Sequence, residues 1–392
     1  MGCVRNRGPG LRALLPWQVQ GIRTGREWVR GVAPQVVRAR WQRLAEAEEP
    51  DRARLFRVSR SRRLTSGVAQ LPGQATPTHR LSLGLGDCPA PVRVRVGAFD
   101  RQWLLPDARL LDQPRPELWR VADRHQVFVQ LLPGPEVAFS AEPPLGTVTL
   151  PFFRRPGGQE PNLAPGLTDC LTARLDSPVS ASDVLAWIAA VTAHPAAAAL
   201  GADDVEVPLP RDSALWARGL DLGRQVLAAH RFAADRPRLP GGRRPYVRQP
   251  VNSRWTPSEP DYEVETGTLL LGNEGRISPV PATVAAHPSV AAWFAERTAH
   301  HAAEPGTLEA LGLVGWPQQS TADLVELLTV LAAVTALHPA QAELTAAAGE
   351  ADGITAEELR SAGILPAPAA AARPASVLDH QEEGPEGQFV LL

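Results

Sequence analysis

Proline most limits what this chain can become. It supplies 39 of 392 residues, about twice the roughly 5% of an average protein, and it recurs along nearly the whole length. Each proline removes a backbone donor and holds φ near −65°, so helices and central strands must fit between prolines. The length allows two or three domains, each able to bury a core. The expected fold class is α+β, loop-rich, with few long uninterrupted elements.

Between the prolines the hydrophobic period is readable. Val36, Val37, Trp41 and Leu44 fall near one helical stripe. DRARLFRVSRSRRLTSG at 51–67 is a second basic segment, either the solvated face of a helix or a surface turned to phosphates. VRVRV at 92–96 alternates strictly, which predicts a half-buried strand with Arg93 and Arg95 on its other face. HQVFVQLL at 125–132 and TVTLPFF at 147–153 are also strand-like. From 166 the period becomes helical. A capping box, Ser180 with Asp183, opens a helix with Val184, Trp187, Ile188 and Val191 on one face. Leu215, Gly219, Leu222 and Val226 mark a second helix packed beside it.

Residues 235–262 form an Arg/Pro-rich connection, either mobile or facing a ligand. YEVETGTLLLGNEGRISPVP at 262–281 predicts a small β-hairpin unit. Helices are expected around 288–302 and 321–338. The resulting division is an Arg-rich helical and loop entry segment at 1–74 and a strand-rich region at 75–165. A mostly helical C-terminal part follows at 166–361, then a disordered tail at 362–392.

Charge is unevenly spread. Residues 1–80 hold sixteen arginines against five acids, and residues 277–392 hold three against fourteen. Such asymmetry suggests an anionic partner for the N-terminal part. All forty basic residues are arginine, a sign of GC-rich codon usage, so only their clustering carries information. Cys3, Cys88 and Cys170 lie far apart without a CxxC pair, which argues against a zinc ribbon or disulfide framework and for a reduced, cytoplasmic protein. No run of about 18 apolar residues is present, so no membrane span or membrane partner is expected. The N-terminal residues lack the apolar core of a secretory signal, and Asn6 breaks the myristoylation pattern.

Catalytic motifs are missing. LGLGD at 83–87 has no following helix and acid to make it a nucleotide fingerprint. His300 and His301, adjacent on a helix, point about 100° apart and make a poor metal pair. Asp203 and Asp204 read as solvated loop carboxylates. No P-loop, GxSxG or HExxH occurs, so neither catalytic nor metal residues are expected.

Recognition chemistry is what remains. AFDRQWLLPDARLLDQPRPELWRV at 98–121 carries four arginines, two tryptophans and three prolines. Arginine forks match guanine edges or phosphate oxygens, and aromatic rings stack on bases or wedge against sugars. Gln102 and Gln113 can pair with adenine. The same residues equally build an internal staple, with Asp100, Asp107 and Asp112 pairing the arginines. Chemistry alone leaves both open.

GIRTGREWV at 21–29, the Arg/Trp helix running into ARLFRVSRSRRLT, and AFDRQWLLPDARLLDQPRPELW resemble the C-terminal portion of type ISP restriction–modification enzymes. These are single-polypeptide, translocating restriction enzymes, and actinobacterial members are the nearest in kind. GGQEPNLAPGL at 157–167, SASDVLAWIAAVTAHP and ELLTVLAAVTALHP extend the resemblance over roughly 14–361. It implies a target-recognition region, because in such enzymes a nuclease, a helicase-like motor and an adenine-N6 methyltransferase precede a C-terminal specificity domain that reads the DNA site. Phe99, Asp100, Arg101, Trp103, Asp107, Arg109, Arg115, Pro116 and Trp119 match the family's signature run, and Arg23, Arg26 and Trp28 match the earlier one.

The expected DNA-binding set is Arg23, Arg26, Arg93, Arg95, Arg101, Gln102, Trp103, Arg109, Arg115 and Trp119. Contact is centred on 98–124. The Asn/Asp-Pro-Pro-Tyr/Phe loop that holds a flipped adenine is missing, as is a glycine-rich loop for S-adenosylmethionine. Alone the chain is therefore expected to be noncatalytic and to need no cofactor, S-adenosylmethionine belonging to a methyltransferase domain elsewhere. Met1 falls at what would be the methyltransferase-to-specificity junction. Double-stranded DNA is the expected partner, with a separate methyltransferase/restriction subunit as a second. The alternative is an interaction scaffold, or a decayed remnant, that docks on such a subunit.

Overall fold

The computed structural model describes residues 8–133, 136–200, 204–231, 244–312 and 315–375. The N-terminal strands are β1 (Val19–Gln20), β2 (Arg30–Gly31), β3 (Val92–Val96) and β4 (Asp100–Leu104). Next come β5 (Phe128–Leu131), β6 (Val137–Ser140), β7 (Val148–Pro151), β8 (Phe153–Arg155) and β9 (Gln159–Pro161). They are followed by β10 (Leu209–Pro210), β11 (Tyr246–Gln249), β12 (Asp261–Glu263), β13 (Thr268–Leu271), β14 (Gly275–Ser278) and β15 (Gly353–Ile354). The principal helices are α1 (Pro34–Glu46), α2 (Asp51–Phe56), α3 (Pro116–Val121), α4 (Leu167–Leu175), α5 (Ala181–Thr192), α6 (Ser213–His230), α7 (Pro288–His301) and α8 (Gln318–Glu350).

The fold is α+β, as expected, with short strands in several small sheets. Strands β2-β4-β3 make one antiparallel sheet and β1-β7-β5-β6 another. Through β1 and β2, the arginine-rich entry segment supplies an edge strand to each. The expected hairpin unit is the centre of a four-stranded sheet, β11-β14-β13-β12, because the Arg/Pro-rich connection adds β11 to it. Residues 232–243 of that connection, and Asp203, lie outside the described residues.

Three large cores cut across the expected divisions. The first joins Leu11, Leu14 and Leu15 to β5–β7 and to helices α4–α6. The second packs Trp28 and the predicted α1 stripe (Val37, Trp41, Leu44) against Val94, Leu104 and Leu118. The third lies between β13, β14, α7 and α8. Of the expected disordered tail, 362–375 is held in place. Ile364 and Leu365 are buried in the first core, and Arg154 donates to the carbonyls of Ala370 and Arg373. Residues 376–392 lie outside the described residues.

Helices α5 and α6 show why glycine stands in an apolar stripe. A Cβ on Gly223 would lie 1.7 Å from the Ala186 carbonyl oxygen, and one on Gly219 would lie 2.2 Å from the Trp187 ring. The close approach stacks Trp187 on Trp216, with centroids 5.0 Å apart, while the Trp187 indole donates to the Pro208 carbonyl. The Ser180–Asp183 capping box is formed.

Helix α8 exceeds its expected range, 321–338, because it continues through Pro339 for 33 residues. An interior proline costs roughly 3 kcal/mol. Helix α8 offsets that by bridging two cores: Leu324, Leu328 and Leu331 enter the third, and Leu337, Leu344 and Ala348 the first. Gln341 Nε2 also donates to the carbonyls of Ala189, Ala190 and Ala193, which close the C-terminal end of α5. By length and composition α8 is apolar enough to cross a membrane, but 56% of its most apolar window is buried inside the protein.

Candidate nucleic-acid interface

The alternating strand β3 departs from the half-buried expectation. Val94 and Arg95, on opposite faces, are both buried, while Val92, Arg93 and Val96 are partly buried. Arg95 donates to Glu142 at 2.8 Å and to the Phe99 carbonyl at 2.9 Å. Arg93 forks both oxygens of Asp323, at 2.8 and 3.1 Å, and lies over Trp103 at 4.3 Å. On β4, Arg101 bridges Glu142 (2.6 Å) and Glu326 (2.7 Å). Gln102 is fully buried, accepting from Arg30 and donating to Asp100, whose two oxygens are forked by Arg297. Arg30 also pairs with Glu296. Burial works to raise the Glu142 carboxyl, yet Arg95 and Arg101 overcome it and hold the group down at about 2.

These contacts account for part of the acidic excess at the C-terminal end. Arg30, Arg93 and Arg101, on β2, β3 and β4, meet Glu296, Asp323 and Glu326 on α7 and α8, between 225 and 266 residues further on. Of these arginines Arg30 alone comes from residues 1–80, so most of the N-terminal positive excess is left for other partners.

A second group of arginines organises loops. Arg26 is only 4% exposed. Its Nε donates to the carbonyls of Phe56 and Arg57, its Nη1 to Leu110 O and Asp112 Oδ1, and its Nη2 to Ser59 Oγ and Arg62 O. Its plane lies 4.2 Å from the centroid of Phe56. Burial lowers its pKa, against the opposing pull of Asp112. Arg109 is wholly buried, forks Asp107, and reaches the carbonyls of His79 and Leu85. Arg62 donates to Ala108 O, Ser59 to Asp112, and Ser82 N–H to Leu64 O. Segments 57–66, 79–85 and 107–115 therefore form one braced surface. Arg23 joins it through paired backbone bonds with Gln113.

What faces outward from this surface is cationic. Arg23, Arg57, Arg60, Arg63 and Arg80 are exposed, together with Val58 (62%) and Leu83 (77%). Arg57 also reaches Glu309 at 2.8 Å. Arg115, in the left-handed region at φ 56°, stands half-buried at the rim and donates to Gln113 at 2.6 Å.

Most of the sequence-expected contact residues are thus interior. Arg26, Arg95, Gln102, Arg109 and Trp119 are buried, and Trp119 is tied to the Pro114 carbonyl. Arg93, Arg101 and Trp103 are half-buried, the two arginines paired with carboxylates and Trp103 lying beneath Arg93. Of the ten, Arg23 and Arg115 reach the cationic face. Part of the internal staple left open by the sequence is found: Asp107 holds Arg109 within the stretch, while Asp112 and Asp100 hold Arg26 and Arg297 from outside it, and Arg101 pairs with Glu142 and Glu326. Arg57, Arg60 and Arg63 were not among the expected contacts, although the basic run at 51–67 signalled them. No group of three or more His, Cys, Asp or Glu able to hold a metal is found among the described residues.

An α+β body that braces three loops from within, and turns exposed cations outward on them, has the architecture of a recognition domain. Residues 13–327 match the family described as the Type ISP C-terminal specificity domain, and the chain belongs to it. Among curated proteins no match is found.

Solved structures that share the fold include the following three. One is a cryo-EM DrdV–DNA complex, 16% identical with a TM-score of 0.53, covering 87% of this chain and 36% of the other. A nuclease-deletion mutant of the Type ISP restriction–modification enzyme LlaGI, in complex with a DNA substrate mimic, is 12% identical with a TM-score of 0.52, covering 88% and 29%. The ATP-dependent Type ISP restriction–modification enzyme LlaBIII bound to DNA is 12% identical with a TM-score of 0.56, covering 87% and 24%. The chain thus spans between a quarter and about a third of the length of these enzymes.

Proposed function

We propose that this chain is the part of a type ISP restriction–modification system that reads a duplex DNA site, and that the three-loop surface is the face that meets DNA. One observation carries this reading: Arg57, Arg60 and Arg63 are exposed on a loop whose backbone is pinned from beneath by Arg26. Phosphates are bound by such pre-placed guanidinium groups, which fix register, while base edges supply the sequence information. Gln113 and Arg115, at the rim, have the donor and acceptor sets for that second task. Arg26 and Arg109 act here as loop holders, and Arg93, Arg95, Arg101, Gln102 and Trp103 as the seam to the C-terminal helices. The DNA-bound state of the structurally similar enzymes supports the same partner. Methyl transfer, translocation and cleavage belong, in this reading, to other parts of the system, in the same polypeptide or a separate subunit. S-adenosylmethionine would bind there.

The test is selection from a pool of random duplexes at two salt concentrations, with wild type and an Arg60→Gln/Arg63→Gln variant. Wild type is expected to enrich one short motif. Its log affinity should fall linearly with log salt, and the variant should reduce that slope by roughly two, one per lost phosphate contact. Absence of binding even at low salt overturns the reading and leaves a scaffold that docks on a methyltransferase chain.

A further inference from the structure

Strand β11 lies at an outer edge of its sheet, so one row of its backbone groups pairs with no strand among the described residues. All four residues are exposed, Tyr246 by 43% and Val247 by 37%. An open edge carrying such side chains is a pairing hazard unless a partner covers it.

The two edges of this sheet differ in charge. At β12, Asp261 and Glu263 are exposed, with Glu259 and Glu265 beside them. At β11, the Arg248 guanidinium lies over the Tyr246 ring at 4.2 Å and donates to Ser278 Oγ at 2.9 Å. The chain leaving β11 exposes Arg254 in a turn closed by Asn252. An exposed acid, Glu274, stands at that end, 3.4 Å from the Asn252 amide. The turn is tied to the segment that reaches the loop surface: Trp316 N–H donates to Ser253 O, and Glu309 pairs with Arg57.

We infer that β11 and the Arg254 turn form a second contact for the phosphate backbone of the duplex read by the loop surface. This rests on the proposed function. A guanidinium flattened on an aromatic ring is already ordered for a phosphate fork. The open strand edge offers further N–H donors, as do the side chains of Gln249 and Asn252. The acidic β12 edge repels phosphate, so the sheet can approach DNA by one side alone.

An Arg248→Gln/Arg254→Gln variant of the full chain tests this. Its binding, with that of wild type and of Arg60→Gln/Arg63→Gln, is measured across salt concentrations on two duplexes. One just spans the motif selected from the random pool, and the other is extended by two helical turns. The edge variant should bind the long duplex several-fold more weakly, with a salt slope lower by about two, while selecting the same motif. The loop variant should lose affinity on both duplexes. Unchanged affinity and slope for the edge variant on the long duplex overturns the inference, whatever the loop variant does. A loop variant that behaves as wild type overturns the loop reading alone. Wild type that binds neither duplex sinks both. Self-association of the wild type without DNA, abolished in the edge variant, assigns β11 to pairing with the acidic edge of a second copy and overturns the DNA contact.

Discussion

Arg26 and Arg101 look alike in the sequence and do different work in the fold. Arg26 satisfies four carbonyls on two loops, and removing it strands those acceptors in a buried site. Arg26→Ala should cost about 3–5 kcal/mol, the range for breaking a buried charged pair, read by urea denaturation. Arg26→Lys should recover only part, because an ammonium cannot reproduce the fork. Hydrogen exchange at 57–63 should rise in both variants. Arg101→Ala is the contrasting case. It removes a partner of the partly buried Glu142 and should lower stability, yet leave the salt slope of DNA binding unchanged. A fall in that slope equal to that of Arg60→Gln would return Arg101 to the contact set.

At the scale of elements, periodicity was informative wherever burial follows chain order. The α1 stripe, the α5 capping box and the α5/α6 pair were legible, because neighbours on one helical face share one environment. Gly223 within that stripe is explained by the backbone it touches. Gly223→Ala should destabilise by about 3 kcal/mol, the upper part of the usual overpacking range, since the obstruction is the Ala186 carbonyl rather than a side chain able to rotate. Gln341→Leu should cost about 1–3 kcal/mol by removing the side-chain donor shared by the Ala189, Ala190 and Ala193 carbonyls. Both are measured by chemical denaturation. The extent of α8 was not legible, because its continuation through Pro339 depends on two cores that come together only in the fold.

Across the whole molecule, stability should depend on acid in a defined order. His230 and His194 are buried, and desolvation, the leading cause, lowers them to about 3 and about 4. The unfolded chain therefore takes up their protons first, so their contribution is complete above about pH 6.5 and is lost as pH falls toward 3. Glu142 adds a second loss between its unfolded value of 4.5 and about 2. Denaturation midpoints should be flat from pH 7 to 9 and decline from about 6.5 downward. A flat profile to pH 4.5 would show that the histidines do not contribute. The sequence by itself determined the α+β class, most elements, the charge division and the family, because those depend on local periodicity and motif identity. Only the tertiary structure decided which arginines are free. A guanidinium is satisfied as well by a carboxylate on a distant helix as by a phosphate, and nothing in the spacing of Arg93 from Asp323, or of Asp100 from Arg297, distinguishes the two until the chain has folded.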